Sequence, residues 1–411
     1  MHIALIADVF PPLRSSGAIQ LRDLSLELAS QGHKPVVIIP DPELLQPWLI
    51  EDFSGVEVLR LKAPRSKDIG YVRRTFGEFM MPFVMLHNFR KSPFAHTIWD
   101  GVVWYSPTIF LGPIVNVLKK ASTCRSYLII RDIFPEWALD MGLLRRGFPY
   151  YFFKAIERYQ YSVADVIGVQ TQGNVSYFDT WVSKPKRRVE VLQNWLAFAP
   201  LHDCSISLAD GPLAGRTIFV YAGNMGVAQG MGILLDLAEL LRSRLEIGFL
   251  FVGRGSNAQF LRADAKARGL DNVVFHDEVE PSEIPGLYAQ CHAGIVVLDP
   301  RHKTHNIPGK FLSYMQAGLP VLASINFGND LVNIIESENV GRVSTDHSAS
   351  RLCYLAEELV DEMALDDNIS ARCAALSVKL FSPDTAVKQI TAAIADGASI
   401  IDGVGNDRNR I

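Results

Sequence analysis

The sequence is poor in several features that mark common protein classes. Its five cysteines, Cys124, Cys204, Cys291, Cys353 and Cys373, stand far apart with no C-x-x-C pair, which excludes a zinc ribbon or disulfide framework and fits a reducing compartment. Nowhere do two aspartates stand in D-x-D spacing. Low-complexity tracts and internal repeats are absent, so no solenoid or fibrous architecture is expected. Met1 runs straight into Ile3-Ala4-Leu5-Ile6-Ala7 with no basic leader or cleavage site, from which we expect a cytoplasmic protein.

What is present is an ordinary globular composition over 411 residues, a length that favours two α/β domains over one. Charge is divided unevenly. Residues 1–200 hold 23 Lys and Arg against 18 Asp and Glu, while 201–411 hold 17 against 26, so the first half is expected to face something anionic. Short apolar runs alternate with helix-length segments, the pattern of a parallel sheet covered on both faces. Strands are read at 2–8, 35–39, 56–61, 101–105, 126–130, 165–170 and 189–192, and again at 217–222, 247–252, 273–275, 294–298, 320–324 and 341–343. The fold class is therefore α/β with two Rossmann-like, doubly wound parallel sheets facing across a cleft. The domains are read as 1–200 and 201–382, with 383–411 a helix returning to the first domain and then a frayed tail.

In such sheets ligands bind at the carboxyl ends of the strands, and four connections there carry chemistry. Phe10-Pro11-Pro12-Leu13-Arg14-Ser15-Ser16-Gly17 opens the first helix, where backbone N–H groups can meet an anion. Ala222-Gly223-Asn224-Met225-Gly226-Val227-Ala228-Gln229-Gly230 is a second glycine-rich opening; it is not G-x-G-x-x-G and no acidic residue ends the next strand, which argues against NAD. Phe251-Val252-Gly253-Arg254-Gly255 supplies close backbone approach and a cation, as a diphosphate requires. His305-Asn306-Ile307-Pro308-Gly309-Lys310 starts a helix that Gly318 ends, and a lysine in a first turn opposes the helix dipole unless an anion sits there. Each also has a plain reading as a structural turn or a surface cation.

These stretches, with Val191-Leu192-Gln193-Asn194-Trp195, Tyr221-Ala222-Gly223 and Met315-Gln316-Ala317-Gly318-Leu319-Pro320-Val321, resemble the retaining family 4 glycosyltransferases, which have the GT-B architecture. The Gly-Asn-Met-Gly and Ile-Pro-Gly-Lys segments are similar to the branch that builds bacterial O-antigen and capsule repeats, and within it to N-acetyl-L-fucosamine transferases. The resemblance implies a UDP-sugar donor, no metal or other cofactor, and a polyprenyl-diphosphate-linked sugar acceptor. By this likeness Gly17, Asn224, Gln229, Arg254 and Lys310 hold the donor diphosphate. His305, Asn306, Ile307, Pro308, Gly309 and Ser313 lie around the donor sugar and ribose, and Asp277, Glu278 and Val279 near the nucleobase. The chain departs from the family where Asn224 and Gln229 replace a basic pair and His305 and Ser313 replace two glutamates. It also has Arg131-Asp132 where a histidine is usual; Asp132 and Glu136 are the catalytic candidates, positioned to orient or deprotonate an acceptor hydroxyl. Paired carboxylates are equally often salt-bridged loop residues.

Two further segments mix aromatics with arginines: Tyr71–Lys91 around Arg73-Arg74 and Arg90-Lys91, and Met141–Tyr161 around Arg145-Arg146. The first is interrupted by Pro82 and its uncharged part falls short of the ~20 residues that span a bilayer. The expected partner is an anionic surface, with the protein peripheral on the inner face of the bacterial cytoplasmic membrane. A buried helix is the alternative. No nucleic acid is expected, since no binding module is present and the second half is acidic. An epimerase or hydrolase of sugar nucleotides, or a non-catalytic scaffold in polysaccharide assembly, stays open, because fold alone does not fix chemistry.

Overall fold

Successive residues of the first two strands serve opposite faces of one sheet. Ala4, Ile6, Val36 and Ile38 enter one core cluster, and Ile3, Leu5, Ala7, Val37 and Ile39 the other, as a two-residue side-chain period requires. The computed structural model describes residues 1–13, 15–66, 69–183, 187–226, 229–299 and 307–396. The chain divides into Met1–Trp195 with Pro383–Ile411, and Leu196–Ser382; the first division falls five residues before the 200 read from sequence.

The first unit holds β1 (His2–Ile6), β2 (Lys34–Asp41), β3 (Trp48–Phe53), β4 (Val56–Lys62), β5 (Gly101–Tyr105), β6 (Arg125–Ile129), β7 (Val166–Val169) and β8 (Arg188–Val191), in the order β3-β4-β2-β1-β5-β6-β7-β8. Its helices are α1 (Ser16–Ser30), α2 (Tyr71–Phe89), α3 (Gly112–Ser122), α4 (Glu136–Asp140), α5 (Phe148–Val163) and α6 (Asp179–Val182). Pairing is parallel except that β3 runs antiparallel to β4. The sequence reading has no strand at 48–53. Ser54 and Gly55 both adopt positive φ, which gives a tight hairpin turn matched to strand twist and folds 48–53 back on β4. Ser15 caps α1 by accepting from the Ala18 N–H, and Gly32, at φ +79, ends it. The C-terminal helix, Pro383–Ala395, packs Val387, Ile390 and Ile394 with Leu21, Leu24 and Leu28 of α1.

The second unit holds β9 (Thr217–Ala222), β10 (Ile247–Val252), β11 (Val273–His276), β12 (Ala293–Val297), β13 (Val321–Ser324) and β14 (Gly341–Ser344), all parallel, in the order β11-β10-β9-β12-β13-β14. Helices α7 (Gly232–Leu240), α8 (Ala258–Ala267), α9 (Ile284–Tyr288), α10 (Gly309–Gln316), α11 (Leu331–Ser337), α12 (Ala349–Leu365) and α13 (Ile369–Phe381) cover it. Strand order reverses between β9 and β12 here, and between β1 and β5 in the first unit. At such points the two flanking connections diverge and leave a crevice at the carboxyl edge. Two parallel-sheet α/β units of this kind are what the sequence reading expects of a GT-B chain.

Candidate active site

In the second unit the loops after β9 and β10 are pressed together through glycine. A Cβ on Gly253 would stand 2.1 Å from the Gly223 carbonyl oxygen, and one on Gly255 2.4 Å from the Met225 carbonyl carbon. The Gly223 N–H donates to Val252 and the Met225 N–H to Arg254. Onto this surface comes Lys310, the second residue of α10. A Cβ on Gly223, whose φ is +140, would lie 2.9 Å from Lys310 Cε and 3.3 Å from Nζ, and the ammonium sits 4.6 Å from the centre of the Tyr221 ring.

The Lys310 side chain is half-buried, and among the described residues no carboxylate pairs with it. Burial pulls its pKa down to about 8, since a desolvated ammonium without an anion is costly to keep charged. Pro308 stands at the N-cap with no side-chain cap; the Phe311 N–H donates to the Pro308 carbonyl at 2.9 Å, and the Gly309 and Lys310 amides before it have no acceptor within the helix. A helix N-terminus, close backbone approach and a cation that no carboxylate among the described residues pairs with are together a seat for an anionic group.

The other diphosphate candidates differ. Arg254 is exposed and its Nε donates to Glu278 at 2.9 Å; such a surface pair is weak and can be exchanged for phosphate. Asn224 is exposed, and its backbone carbonyl accepts from the Tyr221 hydroxyl, a partner the sequence reading does not single out. Gln229 is half-buried and its N–H donates to Gly226. Of the sugar and ribose candidates, Ile307 is buried and Gly309 exposed. The Ser313 hydroxyl donates to the Gly309 carbonyl of its own helix. His305 and Asn306 lie outside the described residues. In the nucleobase region Asp277 is exposed and paired with Arg262 at 2.7 Å, Glu278 holds Arg254, and Val279 packs on the core.

In the first unit Gly17 allows α1 to begin against Tyr105, since a Cβ there would meet the Tyr105 ring and Val9 at 3.3 Å. Asp132 and Glu136 follow β6 and have different surroundings. Asp132 is exposed. Glu136, by contrast, accepts from Lys154 at 2.6 Å and from the Tyr150 hydroxyl at 3.1 Å. Burial opposes its charge, but the bonds from Lys154, Tyr150 and Tyr177 prevail and hold its carboxyl below the usual carboxylate range. A carboxylate so engaged is a weak base, and of the two only Asp132 is exposed. Among the described residues no cluster of three His, Cys, Asp or Glu could hold a metal ion.

Comparison with known proteins places this geometry. Residues 216–361 match the model of the family described as Glycosyl transferases group 1. A Pseudomonas aeruginosa protein named as a glycosyltransferase, WbjE, is 22% identical over 252 residues, 60% of this chain and 62% of that protein. WcaI of Escherichia coli (strain K12), named for glycosyl transfer in colanic acid biosynthesis, is 25% identical over 313 residues, 71% of this chain and 75% of WcaI. The WbjE match thus spans less than two thirds of that relative. Among solved structures, sucrose-phosphate synthase of Thermosynechococcus elongatus superposes with a TM-score of 0.71 at 16% identity, covering 97% of this chain and 99% of that one. Anabaena HepE in complex with UDP and glucose gives 0.65 at 13% identity, covering 96% and 99%. The chain therefore shares the GT-B fold of these structures, and its residues 216–361 are similar to the Glycosyl transferases group 1 family.

Proposed function

We propose that the protein transfers a sugar from a UDP-sugar to an acceptor carried on a polyprenyl diphosphate in bacterial polysaccharide assembly. The observation that carries this reading is Lys310: a half-buried ammonium with no carboxylate partner among the described residues, on the Tyr221 ring and against Gly223, at the start of α10. A diphosphate there gains the lysine and the Gly309 and Lys310 amides. As the bond between the anomeric carbon and the phosphate oxygen breaks, UDP leaves with the bonding electrons, and the same groups stabilise its growing charge. The acceptor hydroxyl, oriented by Asp132, forms the new glycosidic bond and gives its proton to the departing phosphate oxygen or to solvent. HepE, a protein of the same fold, is seen with UDP and glucose, and WcaI is named for colanic acid biosynthesis; both favour a nucleotide-sugar substrate and a polysaccharide product.

The lipid side of the reading rests on the first unit. Tyr71, Val72, Phe76 and Phe83 of α2 are exposed, as are Leu143 before α5 and Phe148 and Tyr151 at its start, and Phe79 approaches Phe152 at 6.1 Å. Exposed Arg73, Arg74, Arg145 and Arg146 accompany them. Aromatics beside arginines suit the interface of an anionic leaflet, and among the described residues no helix is long and apolar enough to cross a membrane.

The test is a panel of UDP-sugars, UDP-N-acetyl-L-fucosamine included, scored by thermal stabilisation and then by UDP release with and without undecaprenyl-diphosphate-N-acetylglucosamine. Stabilisation by UDP with acceptor-dependent release is expected. Fast release or epimer formation without acceptor would instead establish a hydrolase or epimerase, and no nucleotide binding a scaffold.

A further inference from the structure

The loop that carries Asp132 is six residues long, Ile130–Pro135, between β6 and α4, and it is tied down at nearly every position. Of residues 131–136 only Asp132 is exposed. Arg131 is buried: its Nη1 donates to the Leu192 carbonyl at 2.9 Å, and its guanidinium lies 4.6 Å from the centre of the Trp195 ring. Trp195 Nε1 donates to the Gln20 carbonyl, and the Tyr105 hydroxyl to Gln20 Oε1, so the β6 end of the loop is fixed to α1, β5 and the segment after β8. Ile133 enters the core, and Phe134 packs edge-on to Phe153 of α5 at 5.0 Å.

At the far end Glu136 is held by a set of groups that the proposed chemistry does not use. Lys154 bridges Glu136 at 2.6 Å and Glu157 at 2.9 Å, the Tyr177 hydroxyl donates to Glu157 at 2.6 Å, and Tyr150 bonds both Glu136 oxygens. Glu157 is almost wholly inaccessible, and burying such a charge is tolerable only with full pairing. An ion-pair network of this kind adds little net stability over an apolar replacement, but it fixes geometry. What it fixes here is the first residue of α4, four residues beyond Asp132.

We propose that Glu136 and Arg131 are positioning residues that clamp this loop from its two ends, so that the Asp132 carboxylate is presented to the acceptor hydroxyl in one place. The proposal rests on the reading of Asp132 given above. It assigns Glu136 a role through Asp132 and removes it from direct chemistry, and it gives Lys154, Tyr150 and Tyr177 the task of holding Glu136.

A double-mutant cycle tests this on the full chain. Asp132→Asn, Glu136→Gln and the double variant are assayed for UDP release from the UDP-sugar that stabilises the protein most, with undecaprenyl-diphosphate-N-acetylglucosamine as acceptor. Amide hydrogen exchange at 132–136 and UDP affinity are measured on the same samples. Glu136→Gln is expected to lower kcat about tenfold on a wild-type background and to have no further effect on Asp132→Asn, since residues that act as a unit are non-additive. The loop amides should exchange faster and UDP affinity should stay unchanged. Tyr150→Phe, which removes one hydroxyl and keeps the ring, should show the same effect more weakly and serves if Glu136→Gln does not fold; Arg131→Lys tests the other end by the same exchange measurement. Equal losses on both backgrounds, or loop exchange at the wild-type rate in these variants, would overturn the proposal. Full activity in Asp132→Asn would remove both the assignment of Asp132 and the clamp's purpose. Failure of the wild type to bind UDP would sink the proposed function, while the exchange measurement would still decide whether the loop is clamped.

Discussion

Replacing Lys310 by methionine keeps the length and apolar stem of the side chain and removes its charge. In the free protein burial pulls Lys310 down to about 8 from 10.5, a difference that corresponds to about 3 kcal/mol of penalty on the ammonium, reduced to about half by solvent reaching a partly exposed side chain. The unfolded chain keeps this proton up to its ordinary pKa and the folded chain loses it near 8, so between these values the unfolded state binds more protons and stability rises with pH. Lys310→Met should lack that rise and be at least as stable as wild type at pH 7. A bound diphosphate reverses the balance by restoring the ammonium. At pH 8, where about half of the free amines are neutral, UDP binding should take up about half a proton, and affinity should fall as pH increases further. Loss of one hydrogen bond to a charged group costs about 1.5–3 kcal/mol, so the variant should bind UDP about ten- to a hundredfold more weakly. Titration calorimetry at pH 7, 8 and 9, in two buffers of different ionisation enthalpy, measures affinity and proton uptake together. Unchanged affinity in Lys310→Met, with no proton uptake by wild type at pH 8, would refute the reasoning.

Other consequences follow from the same geometry. Gly253→Ala drives a Cβ to 2.1 Å from the Gly223 carbonyl oxygen at a φ of +140, and should cost roughly 2–4 kcal/mol, read as a lowered Tm and weaker UDP binding. Phe76→Ser with Phe148→Ser should reduce sedimentation with phosphatidylglycerol vesicles about tenfold or more, since each phenyl contributes roughly 1.5–3 kcal/mol when buried; raised salt should weaken what remains through the arginines. Activity measured with excess EDTA should equal activity without it; a loss restored by magnesium would contradict the expectation of no metal.

The parallel sheets were legible because their strands are short β-branched or aromatic runs buried on both faces, as in Val36–Ile39 and Phe249–Val252. β3 was harder to see, since Trp48–Phe53 carries Glu51 and Asp52 and is half-exposed along most of its length; the Ser54-Gly55 turn was the available signal. The start of α10 could be read from Pro308 and Gly309, and the unfavourable position of Lys310 in its first turn pointed toward an anion. Its resting place on Tyr221 and Gly223 could not be read, because that contact joins residues almost ninety positions apart. The same holds for Glu136, whose partners Tyr150, Lys154 and Tyr177 come from α5 and beyond. Spacing alone shows two acidic residues on a sheet edge; only the fold shows that one is exposed and the other enclosed in an ion-pair network.

The central claim is that a nucleotide diphosphate sits at the start of α10. A crystal structure of the full chain soaked with UDP tests it most directly: the account predicts phosphate oxygens within hydrogen-bond distance of Lys310 Nζ and of the Gly309 or Lys310 N–H. UDP bound elsewhere, with Lys310 still uncompensated on the Tyr221 ring, would contradict it.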